Sequence, residues 1–453
     1  MDALLSVLGY INDLGAVVVM PFIIAIMGII MGTGVGKAVR AGLTVGVGFI
    51  GLNLVTGLMG TFLAPAVTEM CAKFGLSLSV IDVGWPAAAA IAFGTQVGAY
   101  IIPVCLATNI VMILTGTTQT IDVDIWDYWH FAFTGSLVAI ATNNIAFGLL
   151  AAIFNMIIIM VLGDLTAEGV QDSLGIPGIS LPHGFSTAYA PIAILFNWVM
   201  DKIPGVNKVT FDLESLQDKI GVFGEPILVG SVIGLVIGAV AGLSVKGVLT
   251  LAINMGACLV LIPKMAALLM EGLLPISDAA SGFVEKNFKG AGTMYIGLDS
   301  AVGVGHPLTL SVALLLVPIS VFLAVVLPGN QMLPFADLAV IPWMFVLITP
   351  VVKGNGFRAL VIGIICLIAA FYIGTDLAPF ITKAAEQAQF EGLANYPAGT
   401  QISSICDGGN PLTWIIFKLN QISPIVGLVV VGVVSVALAV FNRVRIQKSL
   451  KEA

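Results

Sequence analysis

Charge is scarce in this sequence. Of its 453 residues only 9% are Asp, Glu, Lys or Arg, against 58% hydrophobic, and the mean hydropathy is +1.08. That leaves far more apolar surface than soluble cores could hide, which makes a bilayer the solvent. No basic run occurs, so nucleic-acid binding is set aside, and a net charge of -7 carried in short loops says little about partners. The five cysteines, Cys71, Cys105, Cys258, Cys366 and Cys406, never fall in C-x-x-C spacing. Neither a disulfide framework nor a zinc site is signalled, and they read as small apolar packing residues. The three histidines, His130, His183 and His306, share no H-x-x-x-H spacing, so no metal site is expected. A phosphate loop of the form G-x-x-x-x-G-K-[ST] is missing too, and nothing implies a cofactor. The opening stretch MDALLSVLGYINDLG lacks the Lys and Arg of a signal peptide and no small-residue cleavage pattern follows, so it is expected to stay attached.

What is there is a series of apolar stretches, each to be weighed against the roughly 20 residues that cross a bilayer as a helix. Eleven qualify: 15–35, 41–63, 97–115, 126–142, 145–163, 226–244, 247–271, 307–327, 334–352, 357–376 and 424–441. Between them Trp85 to Gln96, Gly175 to Met200, Tyr295 to Gly305 and Ala398 to Asn420 are too short or too broken to cross. Irregular backbone survives at membrane depth only when buried in protein or lining a cavity, so these pieces should point inward.

The chain repeats itself at an offset of about 212 residues, with Asn143 on Asn355 and Asp164-Leu165 on Asp376-Leu377. At slightly longer offsets Asp82 answers Asp299, and His183-Gly184 answers Asp407-Gly408. Five spans per repeat is an odd number, which inverts the second repeat: 1–200, a connector 201–225, 226–422, and a last helix with a basic tail over 423–453. Inverted repeats with broken segments in matching places point to a transport site near the midplane. With the C-terminus in the cytoplasm and the N-terminus outside, 14 of the 18 basic residues are cytoplasmic, which fits the positive-inside bias.

Two stretches carry the polar chemistry, SLPHGFSTAYAPI over Ser180 to Ile192 and SSICDGGNPLTWI over Ser403 to Ile415. They read as re-entrant hairpins facing one another, with His183 in the first and Asp407 and Asn410 in the second. Intramembrane charge is costly and rarely kept without a use, which adds Asp82, Asp299, His130 and His306 as candidates. Each has a bland alternative. His130 lies among Trp126, Tyr128 and Trp129, as in an interfacial aromatic belt; His183 could be satisfied by hairpin backbone; His306, before Pro307, could cap a helix, as could Asp82 and Asp299. Carboxylates and amides at hairpin tips suit an uncharged polyol, whose hydroxyls both donate and accept. An ion-gradient-driven secondary transporter of a polar solute would use the same architecture, with the acids and histidines as ion sites, whereas no motif for an intramembrane enzyme is present.

The stretches IDVGWPA, VDIWDYWHFAFTG, LPHGFSTAYAPIA, DKIPGVNK, FGEPILVG, IGLDSAVGVGH, LPGNQMLPFADLA and CDGGNPLTW resemble the galactitol-type membrane component, enzyme IIC, of the bacterial phosphoenolpyruvate-dependent sugar phosphotransferase system. The resemblance covers nearly the whole chain and extends to the ascorbate-type IIC proteins. It implies an all-α membrane protein of eleven spans in two inverted repeats (5+5+1) with re-entrant hairpins. It further implies a dimer-forming scaffold and a core that carries substrate by an elevator motion. By position His130, His183, Asp299 and Asp407 would bind a polyol such as galactitol. A separate IIB protein, supplied through IIA, HPr and enzyme I, would phosphorylate the sugar at the cytoplasmic face, so that this chain holds no phosphorylated residue of its own.

Overall fold

The structure is a computed structural model that describes residues 16–30, 32–75, 77–122, 124–210, 225–287 and 294–452. Residues 1–15 and most of the expected 201–225 connector lie outside the described residues. Helix α1 (Ala16–Ile30) leads to α2 (Val35–Leu58), which runs through a π turn (Met59–Leu63) into α3 (Ala64–Phe74). Strand β1 (Val80–Asp82), the short α4 (Trp85–Gly94), α5 (Gln96–Leu114) and β2 (Thr120–Asp122) follow. Then come α6 (Tyr128–Thr142), α7 (Ile145–Leu174), β3 (Ile179–Ser180) and α8 (Ala190–Lys202). The second half opens with α9 (Pro226–Ala241) and α10 (Val245–Asn287). It continues through β4 (Tyr295–Gly297), α11 (Ala301–Val304), α12 (Pro307–Val326), β5 (Met332–Leu333), α13 (Ile341–Val346) and α14 (Ile348–Val352). It closes with α15 (Gly356–Gln387), β6 (Gln401–Ser403), α16 (Pro411–Ile422) and α17 (Pro424–Glu452).

Polar caps set the long helices. Asn144 accepts from the N–H groups of Ala146 and Phe147 to start α7, and Asn355 accepts from Arg358 to start α15, the corresponding helix 211 residues on. Seven helical stretches among the described residues are long and apolar enough to cross a bilayer. These are Val35–Phe74, Gln96–Leu114, Ile145–Leu174, Val245–Pro275, Pro307–Val326, Gly356–Gln387 and Pro424–Ser449. Apolar side chains cover their outside: Phe22, Leu43, Ile253 and Val433 expose 64–71% of their surface. Water would not tolerate so continuous an apolar exterior, and lipid requires it. The molecule is a multi-pass membrane protein.

One expected span is broken. The stretch 334–352 forms a 3-10 turn (Ala336–Ala339) and then α13 and α14, not a single helix. Asp82 draws the N–H groups of Phe335 and Asp337 onto its carboxylate at 2.9 and 2.7 Å, away from helical pairing, and Pro342 and Pro350 have no N–H to give.

The helices pack in two groups. Helix α9 lies along α10, α10 along α2, and α2 along α1. A Cβ at Gly230 of α9 would fall 2.5 Å from the carbonyl oxygen of Met255 in α10, so glycine is what lets these two axes close. The other group gathers α5, α6, α7, α16 and α17.

Short strands, which the sequence reading did not foresee, fill the centre. They form two three-stranded parallel sheets, in the orders β5-β1-β6 and β2-β4-β3. The two share one plan, since in each the central strand comes from one half of the chain and both flanking strands from the other. Bonds between strands satisfy backbone groups that water cannot reach here; Val80, Ile81 and Asp82 are all fully buried.

Candidate functional site: a buried His–Asp cluster between the two sheets

Parallel strands send their following loops to the same side. After β2 the chain presents Asp124, Asp127 and, in the first turn of α6, His130; after β3 it presents His183; after β4, Asp299. From the other sheet, β6 delivers Asp407 and Asn410. These loops meet. His130 Nδ1 lies 2.7 Å from Asp407 Oδ2, across 277 residues of sequence, and both side chains are buried. Asn410 Nδ2 donates to Asp407 Oδ1 at 3.1 Å and to the carbonyl oxygen of Gly184 at 3.0 Å, while its Oδ1 caps α16 by accepting from Leu412 and Thr413. Tyr189 adds a bond from its hydroxyl to the Gly409 carbonyl. The two hairpin tips are thereby joined directly.

Gly184 is what lets the first tip come so close. A Cβ there would sit 2.3 Å from the Cβ of His130, and with glycine in place the His130 and His183 rings meet at 4.4 Å between centroids, tilted 59° to one another. His183 Nδ1 accepts the N–H of Ser186 at 3.2 Å, which leaves its ring proton on Nε2. That N–H is aimed at Asp299 Oδ1, 3.5 Å away, and Asp127 Oδ1, 3.8 Å away, too far in both cases for a good hydrogen bond. With Asp407 accepting at Nδ1, His130 Nε2 is left as an acceptor; it is buried and unpartnered, as are both carboxylate oxygens of Asp127. Buried polar atoms without partners are rare and ask for an explanation. A small polar ligand entering the gap would provide one.

Five of the seven residues singled out from sequence therefore lie together: His130, His183, Asp299, Asp407 and Asn410. Asp82 is elsewhere. It stands at the end of β1, accepting from the backbone of Gly84, Phe335 and Asp337, and so ties the loops around the first sheet. His306 caps α12, its Nδ1 accepting from Leu308, with no hydrogen bond or ion pair to the cluster among the described residues. The aromatic neighbours of His130 form no interfacial belt, since Trp126, Tyr128 and Trp129 are all buried in protein. Asp124 and Asp127 were missed, though a carboxylate three residues before a histidine, at the mouth of an apolar helix, was a readable signal. The histidines do converge with acids in space despite their sequence spacing: one ligand atom each from Asp127, His130 and His183 lies within 4.8 Å of the others.

A buried polar cluster inside a body with an apolar exterior is the plan of a membrane carrier for a polar solute. The family model described as "PTS system sugar-specific permease component", EIIC-GAT, matches residues 10–393, and the chain belongs to that family. Among characterised relatives, the "PTS system galactitol-specific EIIC component" of Escherichia coli (strain K12) is 37% identical over 429 residues, 95% of this chain and 94% of that protein. The protein of the same description from Escherichia coli O157:H7 matches to the same extent.

Proposed function

We propose that this chain is the membrane subunit of a phosphotransferase system that takes up a polyol, galactitol first among them, and releases it to a separate IIB protein for phosphorylation. The observation that carries the reading is the buried junction at the second hairpin, where Asp407 meets His130 of α6 and Asn410 meets Gly184 of the first hairpin. A polyol offers only hydroxyls. Against them stand the His183 Nε2–H as donor and the Asp299 carboxylate, the Asp407 carboxylate and His130 Nε2 as acceptors, a set that needs no charge on the ligand. Relatives named for galactitol support that substrate class over other sugars.

The identical plan of the two sheets and the matching caps of α7 and α15 support two inverted repeats, with eleven spans in all, the N-terminus outside and the C-terminus in the cytoplasm. The packing of α1, α2, α9 and α10 among themselves supports a scaffold separate from the site-bearing core, which would move as an elevator on a homodimeric base. Uptake into membrane vesicles over a panel of hexitols and pentitols tests the function. Dependence on phosphoenolpyruvate and soluble phosphocarriers, with galactitol phosphate as product, is the expected result. Accumulation of unmodified polyol driven by a proton gradient would establish a secondary transporter instead.

A further inference from the structure

We propose that Asp124, Asp127 and Asp299 hold a hard divalent cation of the calcium or magnesium class, which presents open coordination positions to two adjacent hydroxyls of the solute. One oxygen from each carboxylate lies within 4.8 Å of the other two, close enough to share one ion. Asp127 supplies the independent pointer: its side chain is only 2% exposed, and neither of its oxygens has a hydrogen-bond donor. Asp124 Oδ1 takes the N–H of Trp126, with the backbone N–H groups of Asp127 and Asp299 also directed at its carboxylate, and Asp299 Oδ1 takes the N–H of Ala301, so each carboxylate is fixed in direction.

Among the described residues, the lysine and arginine ion pairs seen, Lys418 with Asp376 and Arg358 with Asp201, lie outside this corner. The facing imidazole of His183, proton on Nε2, stands back at 3.5 and 3.8 Å, beyond good hydrogen-bonding distance. Three carboxylates this close are neutralised either by protons or by a cation, and an all-oxygen donor set selects a hard one. Asp124 and Asp299 are partly exposed while Asp127 is buried. Vicinal hydroxyls can replace two waters on such an ion, which would give the site a reason to prefer polyols over solutes without adjacent hydroxyls. That second half rests on the permease reading above.

Terbium is the probe, because its luminescence is excited by tryptophan and Trp126 sits between two of the ligands in sequence. The full chain, purified in detergent and stripped with chelator, should show one saturable terbium site competed by calcium or magnesium. Affinity should fall at least tenfold in Asp127→Asn and in Asp299→Asn and stay unchanged in Asp172→Asn, an exposed acid on α7. Asp124→Asn, at a partly exposed position, serves as a further reporter where the Asp127 variant fails to fold. Absence of a saturable site, or parental affinity in the Asp124 and Asp299 variants, overturns the proposal. Polyol binding measured separately should weaken at least tenfold in chelator and recover with the cation. Indifference to chelator would overturn the hydroxyl-bridging role. Cation binding with no polyol binding at all would leave the ion site standing and sink the permease reading.

Discussion

At the scale of single residues, the histidine and carboxylate that meet across the hairpins should govern binding more than folding. In Asp407→Asn the cluster loses a charged acceptor, and hydrogen bonds to charged groups contribute about 1.5–3 kcal/mol, so polyol affinity should drop more than tenfold. His183→Ala removes the ring whose N–H faces Asp299 and Asp127 and should weaken binding by about 0.5–1.5 kcal/mol. Both variants should express and elute like the parent, and equilibrium binding of radiolabelled galactitol is the measurement. Full affinity coupled with unfolding in mild detergent would make these residues pins of the hairpins. Much of the site was readable in the sequence because polar residues in an apolar chain stand out; His183, Asp407 and Asn410 announce themselves between glycines and prolines. Asp127 was passed over, because beside Trp126, Tyr128 and Trp129 it was His130 that stood out, with an interfacial belt as the alternative. Only the fold shows that all four are buried and that Asp127 lacks a partner.

Among the elements, the long helices were legible from their apolar runs, while the six strands were not, since two or three residues carry no periodicity. What makes them strands is pairing with segments up to hundreds of residues away, such as Val80 with both Met332 and Gln401. The same remoteness hid the break in 334–352, whose cause is a carboxylate 253 residues earlier. Asp82 and Asp337 work as a linked pair there: Asp337 accepts from the N–H of Trp85 at 2.6 Å and from Cys406 at 3.1 Å. Asp82→Ala would strand three buried N–H groups, each costing about 1–3 kcal/mol when left unsatisfied. Its expected effect is therefore a large drop in melting temperature in detergent, read by intrinsic fluorescence. A variant that melts like the parent but fails to bind polyol would move Asp82 into the site.

For the whole molecule, the proposed inverted arrangement makes a statement about sidedness. On that proposal a reporter fused after Lys448 should read cytoplasmic and one inserted between Glu386 and Glu391 periplasmic, because eleven crossings would separate the termini and basic residues favour the inside. The same side for both would end the eleven-span count. Association follows from the packing. The group formed by α1, α2, α9 and α10 holds itself together through glycine contacts, carries no member of the buried cluster, and still leaves Leu43, Val47, Ile50, Leu54, Leu249 and Ile253 exposed. The hairpin tips, by contrast, are buried, with Phe185, Tyr189, Ile405 and Phe417 fully covered, and have little surface to give to a second copy. A carrier that moves one part against another also needs its fixed part anchored, and the part free of ligand groups is the one that can be held still. Cysteines introduced at Leu43 and Leu54 should therefore cross-link between copies in native membranes, while cysteines at Ile194 or Ile415 on the hairpin helices should not. Efficient cross-linking at the latter pair would place the dimer seam on the site-bearing half and would make an elevator on a scaffold base untenable.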